Sequence, residues 1–480
     1  MDWLAAPELW TARWLFTRTL AAVFVLAFAN ALLQFRPLLG THGLLPVPRY
    51  LARVSFRAQP SLFHLHYSDR FAMAVAGSGL ALSVTLVVGL PQQGPEWGHV
   101  LVWLAVWVLY LSIVNVGQVW YGFGWESILL EAGFFAAFVG TDRVSPPRPA
   151  MLLVLWLLFR VELGAGLIKL RGDPCWRDLT CLEYHHETQP QPGPFSWYAH
   201  HLPRWWHRVE VGGNYVAQLA APFLLFAPQP LATLAAAVII VTQAWLVLTG
   251  NFAWLNVVTM VLATAALDGT WLAALPAPPA QLPAPPPWLA ALVVAVALAA
   301  AVASRRPVRN MLARSQRMNE RYNPLHLVGT YGAFGSVTRR RDEVVIEGTA
   351  DPGPGPDSEW REYGFKGKPG DVGRRPPQIA PYHLRLDWLL WFVALSPVVH
   401  QRWMFELLRR LLEGDALVLR LLRHNPFPGA PPAAVRVVRY RYRFTTPAER
   451  RASGHWWVRQ FARVDVPPAA LSDGGELVAA

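Results

Sequence analysis

Five charged residues stand in or beside apolar stretches where charge is costly: Glu126, Glu131, Arg160, Glu162 and Lys169. A charge at the centre of a membrane helix costs roughly 2.5–3.5 kcal/mol on insertion scales, so such side chains seek partners inside a bundle. Glu162 and Lys169 are seven residues apart and share a helix face, with Arg160 pointing nearly opposite Glu162. Arg160 is therefore expected to pair with Glu126 or Glu131 on a neighbouring helix. Two readings stay open for the group: charges that lock helices together, or an intramembrane polar site.

A second constellation lies in the loop 171–213, which holds the chain's two cysteines, Cys175 and Cys181. Around them stand Trp176, Arg177, Tyr184, His185, His186 and Glu187, a dense polar-aromatic mixture that marks a candidate functional loop. Two cysteines in a C-x5-C spacing close a small ring if the backbone brings their Cα atoms within about 7 Å. In an oxidising compartment they would form a structural disulfide. Free thiols are an alternative, and so is a zinc site built from both thiolates with His185 or His186. That spacing is unlike the common ligand sets, so no metal is expected. His200, His201 and His207 read as interfacial polar-aromatic residues rather than ligands. The sequence assigns no catalytic residue and no cofactor.

The elements that must position these groups are largely membrane helices. The chain is 53% hydrophobic and only 15% charged, which leans away from an ordinary soluble protein. A helix needs about 20 mainly apolar residues to cross the hydrocarbon core. Candidate spans fall at 14–35, 71–90, 101–120, 128–140, 151–170, 215–227, 231–249, 252–267 and 288–303, and the fourth and sixth are short. Asp2 and Glu8 make a poor signal-peptide leader, and the apolar run after them is long enough to stay as an anchor, although Ala27 and Ala29 leave a cleavage motif. The Pro-rich stretch 276–287 reads as a stiff loop.

The remainder is different in kind. Residues 1–304 carry a net charge of +1 and residues 305–480 carry +11. A basic tail beside a bilayer can rest on anionic headgroups, so membrane lipids are expected partners. No nucleic-acid motif accompanies the charge, and no nucleic-acid partner is expected. Residues 343–349 read as a strand. Val438, Tyr440, Tyr442 and Phe444 alternate with Arg439, Arg441 and Arg443, the period-two pattern of a half-buried strand. Trp403, Met404, Leu407, Leu408, Leu411 and Leu412 form one face of an amphipathic helix, suited to core packing or to a membrane surface. The expected fold is thus an α-helical polytopic membrane bundle of about nine spans, residues 1–304 with loop 171–213. A mixed α/β, strand-containing extramembrane domain follows over residues 305–480.

Nine spans place the loop 36–70, the cysteine loop and the tail on one side. Two signals then disagree. The loops on that side hold about ten Lys and Arg residues, which positive-inside logic assigns to the cytoplasm. A disulfide assigns them to the outside, which is the placement favoured here.

At these residues the chain resembles the lipase maturation factor family. The resemblance rests on Gly172-Asp-Pro-Cys-Trp-Arg-Asp-Leu-Thr-Cys181, Tyr184-His-His-Glu-Thr-Gln-Pro190, Tyr121-Gly-Phe-Gly-Trp-Glu-Ser127 and Trp254-Leu-Asn256. It continues in the tail with Thr330-Tyr-Gly-Ala-Phe-Gly335, Lys368-Pro-Gly-Asp371 and Pro381-Tyr-His-Leu-Arg-Leu-Asp-Trp388. The resemblance implies an endoplasmic-reticulum membrane protein, with cysteine loop and tail in the lumen, needed for secreted lipases to fold and assemble. With 40 Arg against 3 Lys, no glycosylation sequon and no retrieval signal, the composition points instead to a GC-rich bacterial source and its plasma membrane. The functional expectation is a membrane-resident maturation factor, or chaperone, without catalysis of its own, whose partners are secreted clients such as lipases. The rival is a membrane enzyme similar in style to the vitamin K-dependent carboxylase, using the five intramembrane charges with His185 and His186.

Overall fold

The computed structural model describes residues 4–480, so Asp2 lies outside the described residues. Six helical stretches are long and apolar enough to cross a membrane, and the chain is an integral membrane protein. They contain α1 (Trp10–Leu39), α2 (Asp69–Val87), α3 (Glu96–Val116), α5 (Arg148–Arg171), α8 (Leu231–Thr249) and α10 (Pro287–Ala303). Three of the nine expected spans fall short of that criterion. The helix α4 (Gly124–Ala136) has 13 residues; at 1.5 Å per residue it covers about 20 Å of a roughly 30 Å hydrocarbon core. It lies almost wholly inside the protein, where its short length and its two glutamates are tolerated. The segment expected at 215–227 continues α7 (Arg204–Tyr215) through a π-turn, Val216–Ala220, into Ala221–Leu224. The last, α9 (Leu255–Ala263), has nine residues and ends in a 3-10 turn.

The bundle has two distinct ends. At one, Asp142 between α4 and α5 pairs with Arg18 of α1 at 2.6 Å, and Ser145 hydrogen-bonds the Pro-rich stretch at Pro283. At the other, Asn115 of α3 donates to the carbonyls of Pro60 and Pro324, tying the first long loop to the tail. The cysteine loop meets the tail at this same end, where the Trp197 indole donates to the Thr445 carbonyl at 2.8 Å.

The tail builds one antiparallel sheet of order β2-β1-β3-β4-β5, with β1 Arg341–Thr349, β2 Arg361–Glu362, β3 Ala434–Phe444, β4 Trp457–Leu471 and β5 Leu477–Ala479. Two helices, α11 (Arg385–Leu395) and α12 (Arg402–Leu412), join the sheet to the bundle. The apolar face of α12 is buried throughout, and Trp403 stands edge-on to Trp120 at 5.0 Å between ring centroids, so this helix packs into the core. In β3, Arg441 and Arg443 point outward as the alternation predicts. Arg439 does not: it is buried against Asp465 at 2.6 Å and donates to the carbonyls of Val393 and Ala394.

Candidate functional site

The intramembrane charges are brought together with the tail rather than with one another alone. Arg160 on α5 forms a buried ion pair with Glu131 on α4, one of the two partners expected of it. Two backbone and side-chain groups of the tail complete the pair. Arg160 Nη1 donates to the Gly329 carbonyl at 2.7 Å, and the Tyr331 hydroxyl donates to Glu131 Oε2 at 2.7 Å. Glu126, also on α4, takes its partner from further away. Arg385 Nη1 donates to Glu126 Oε1 at 2.8 Å and to the Trp120 carbonyl at 2.6 Å, while its Nε donates to Asn30 on α1. The guanidinium lies over the Tyr121 ring, 3.4 Å from its centroid. Sequence reasoning missed Arg385, although it sits inside the word 381–388; no local pattern links it to α4.

Close approach of the tail backbone depends on glycine. A Cβ at Gly164 would stand 2.2 Å from the Tyr331 carbonyl oxygen, and one at Gly172 would stand 2.1 Å from that of Gly335. The word 330–335 therefore lies directly on the α5 backbone.

Glu162 and Lys169 do not pair with each other. Glu162 Oε1 accepts from Gln243, which in turn accepts from Asn256, and Lys169 donates to Asn214 at 2.8 Å and Gln218 at 3.0 Å. Gln218 lies on the π-turn that follows α7, a local distortion frequent at functional sites.

Cys175 and Cys181 are joined by a disulfide with Cα atoms 4.8 Å apart, which removes the thiolate zinc site. The short ring carries Trp176, whose indole donates to the Phe334 carbonyl at 2.9 Å. Arg177 is exposed, and Tyr184 is half-buried beneath the Arg339 guanidinium. His185 and His186 sit on α6 (Leu182–Thr188) and point to different surroundings. His185 lies between the Phe252 and Phe334 rings, and burial pushes its imidazole down to about 3, so it stays neutral. His186 faces α7, with its Nε2 3.6 Å from Glu210 Oε2, and His207 Nδ1 reaches the same oxygen at 3.1 Å. Burial alone would raise the Glu210 pKa; the neighbouring His186 and His207 imidazoles, the latter hydrogen-bonded to it, outweigh that and hold the carboxylate at about 2. Glu187 turns the other way and accepts the Phe444 backbone N–H of β3 at 2.7 Å. Burial raises its pKa, opposed by that N–H and by Arg341. His207 is thus buried rather than interfacial. The spacing of His207, Glu210 and Asn214 at i, i+3 and i+7 is a signal, missed by sequence reasoning, that could have placed them on one helix face.

The words that carry the resemblance are therefore the words that interlock: 172–190 and 330–335 pack together on α5, and 381–388 reaches α4. Residues 11–274 match the lipase maturation factor transmembrane domain, and residues 327–467 match the lipase maturation factor C-terminal domain. The chain belongs to the lipase maturation factor family. It is 40% identical to lipase maturation factor 1 of Homo sapiens over 97% of this chain and 88% of that protein. It is likewise 40% identical to lipase maturation factor 1 of Bos taurus over 98% and 91%, and 30% identical to human lipase maturation factor 2 over 96% and 83%. No solved structure matches. These family members are animal proteins; they fit an endoplasmic-reticulum membrane and lend no support to the bacterial plasma membrane that composition suggested.

Proposed function

We propose that this chain is a membrane-resident maturation factor that holds partly folded secreted proteins, lipases among them, on a platform made of the cysteine loop and the tail domain, residues 305–480. The observation that carries the reading is similarity at 40% identity over nearly the whole of lipase maturation factor 1, so that spans, cysteine loop and tail are all retained. The platform supplies a suitable surface. Strand β4 pairs with β3 along one edge, whereas β5 covers the other only at 469–471. Residues 460–464 are exposed there, with Phe461 and Val464 outward. An open edge offers backbone hydrogen bonds to an extended client segment, and the flanking apolar side chains add contact area. Release follows because such contacts are few and polar pairing at the rim is weak.

The platform is placed on the oxidising side of its membrane, in keeping with the Cys175–Cys181 bond. Apolar side chains exposed on the spanning helices, among them Val84, Leu101 and Val241, face the lipid. The enzymatic alternative would draw on Glu126, Glu131 and Arg160, which already have ion-pair partners. Deleting the gene and restoring it tests the proposal: secreted lipase activity per unit of lipase protein falls on deletion and returns with the intact chain. Normal specific activity of every secreted hydrolase in the deletion strain overturns it.

A further inference from the structure

The cluster formed by His186, His207 and Glu210 is not needed for the ion pairs that lock the tail to the bundle, and it has the makings of a metal centre. Its three ligand atoms lie within 4.8 Å of one another. They come from two elements, His186 from α6 and the other two from adjacent turns of α7. All three side chains are more than nine-tenths buried, with exposures of 3%, 2% and 7%. The His186 Nε2 atom is buried, has no hydrogen-bond partner and is directed at the shared carboxylate oxygen. An orphaned imidazole nitrogen in such a place calls for a ligand.

The separations suit a small cation. Bonds of about 2.0–2.1 Å in tetrahedral geometry put neighbouring ligand atoms roughly 3.3 Å apart. The two contacts to Glu210 Oε2, at 3.1 and 3.6 Å, bracket that edge. No two of the ligand atoms, the histidine pair included, are more than 4.8 Å apart. The other carboxylate oxygen, Oε1, accepts the Trp245 indole N–H at 2.6 Å. Outer hydrogen bonds of this kind fix the orientation of a metal-bound carboxylate. Two neutral imidazoles with one carboxylate form a borderline-soft, singly negative donor set, matched to a divalent transition cation and poorly matched to calcium or magnesium.

We propose that His186 Nε2, His207 Nδ1 and Glu210 Oε2 bind one zinc ion, with water in the fourth position, as a clasp that fastens α6 to α7 within the cysteine loop. The clasp has a structural role. Lys169 reaches Asn214 one turn further along α7, so the same helix is held at two levels. The clasp stiffens the cysteine loop rather than contacting a client, and its failure would leave the maturation reading intact.

The test uses the full chain, purified in detergent through an affinity tag free of histidine, stripped with chelator and titrated with Zn2+ and with Co2+. One zinc per chain is expected by elemental mass spectrometry. Co2+ should develop the visible absorption of a low-coordinate nitrogen–oxygen site, and zinc should raise the melting temperature. His186→Gln and Glu210→Gln each weaken binding by more than about 100-fold, and Trp245→Phe weakens it about 10-fold, as loss of an outer-shell partner does. His201→Gln, outside the cluster, leaves it unchanged. Near-isosteric glutamine keeps the fold, and wild-type stabilisation by zinc reads the site without any variant. Absence of zinc and cobalt binding by the wild-type chain overturns the proposal and leaves a metal-free His–Glu cluster. Binding equally tight in His186→Gln and Glu210→Gln overturns it as well, by placing the ion elsewhere.

Discussion

Arg385 of the tail and Glu126 of the buried helix α4 form an ion pair at 2.8 Å in which neither side chain is exposed to solvent. The two residues are 259 positions apart, so this pair closes almost the whole molecule on itself. Removing one partner strands the other charge in the interior. Glu126→Gln or Arg385→Met is expected to lower stability by about 3–5 kcal/mol, and the double variant by less than the sum of the two. Urea unfolding of the detergent-solubilised chain measures all three. Additive losses would show that the two charges do not act as a unit.

Glycine at the contact between α5 and the tail gives a sharper geometric prediction. In Gly164→Ala the new methyl group meets the Tyr331 carbonyl at 2.2 Å, which the rigid backbone cannot relieve by turning a side chain. The expected cost is about 1–3 kcal/mol, with earlier proteolytic release of the tail. Gly212 on α7 provides the contrast, because nothing lies within 4 Å of its added Cβ. Gly212→Ala should stabilise the helix by up to about 1 kcal/mol. A Gly164→Ala chain as stable as wild type would remove the close approach from the account.

The Cys175–Cys181 bond closes a ring of sequence separation six, and both cysteines are almost fully buried. Chain-entropy reasoning for so small a ring gives about 2 kcal/mol, which the double Cys→Ser variant is expected to lose. In sealed membrane vesicles with their cytoplasmic face outward, a membrane-impermeant maleimide should label neither cysteine, even with an impermeant reductant, until the vesicles are permeabilised. Labelling after permeabilisation but without reductant would mean free thiols; labelling of sealed vesicles would place the loop on the reducing, cytoplasmic side of the membrane.

How much of this was legible in the sequence differs from residue to residue, for physical reasons. Arg160 and Glu131 could be matched because burial in lipid demands a partner and only two carboxylates were near. Glu126 could be seen to need a partner, but Arg385 lies in a tail whose packing no local pattern reports. The apolar face of α12 was readable from its period. The surface it covers was not, because periodicity describes one side of an interface. Span counting treated 128–140 as a membrane helix, since composition cannot distinguish a short buried helix from a lipid-facing one. The same limit applies to His207. Its helix face with Glu210 and Asn214 is written in the spacing, whereas His186 arrives from another element and only the fold brings it near.

The open edge of β4 tests whether the platform holds clients directly. Phe461 and Val464 are 59% and 44% exposed and belong to no core cluster, so charged replacements there remove little packing. Phe461→Asp with Val464→Asp should change stability by no more than about 0.5 kcal/mol per site. The added negative charge nevertheless opposes an apolar client strand approaching the edge, and it lies beside Arg459 and Arg463, which it would partly neutralise. Restoration of secreted lipase activity in the deletion strain should therefore fall at least several-fold, with the variant present at wild-type level in the membrane. Tyr442→Ala supplies the control for instability: Tyr442 is buried against Trp457, and its loss should lower the amount of protein itself. An edge variant that restores lipase activity fully, at wild-type abundance, would move client binding away from β4 and onto the cysteine loop.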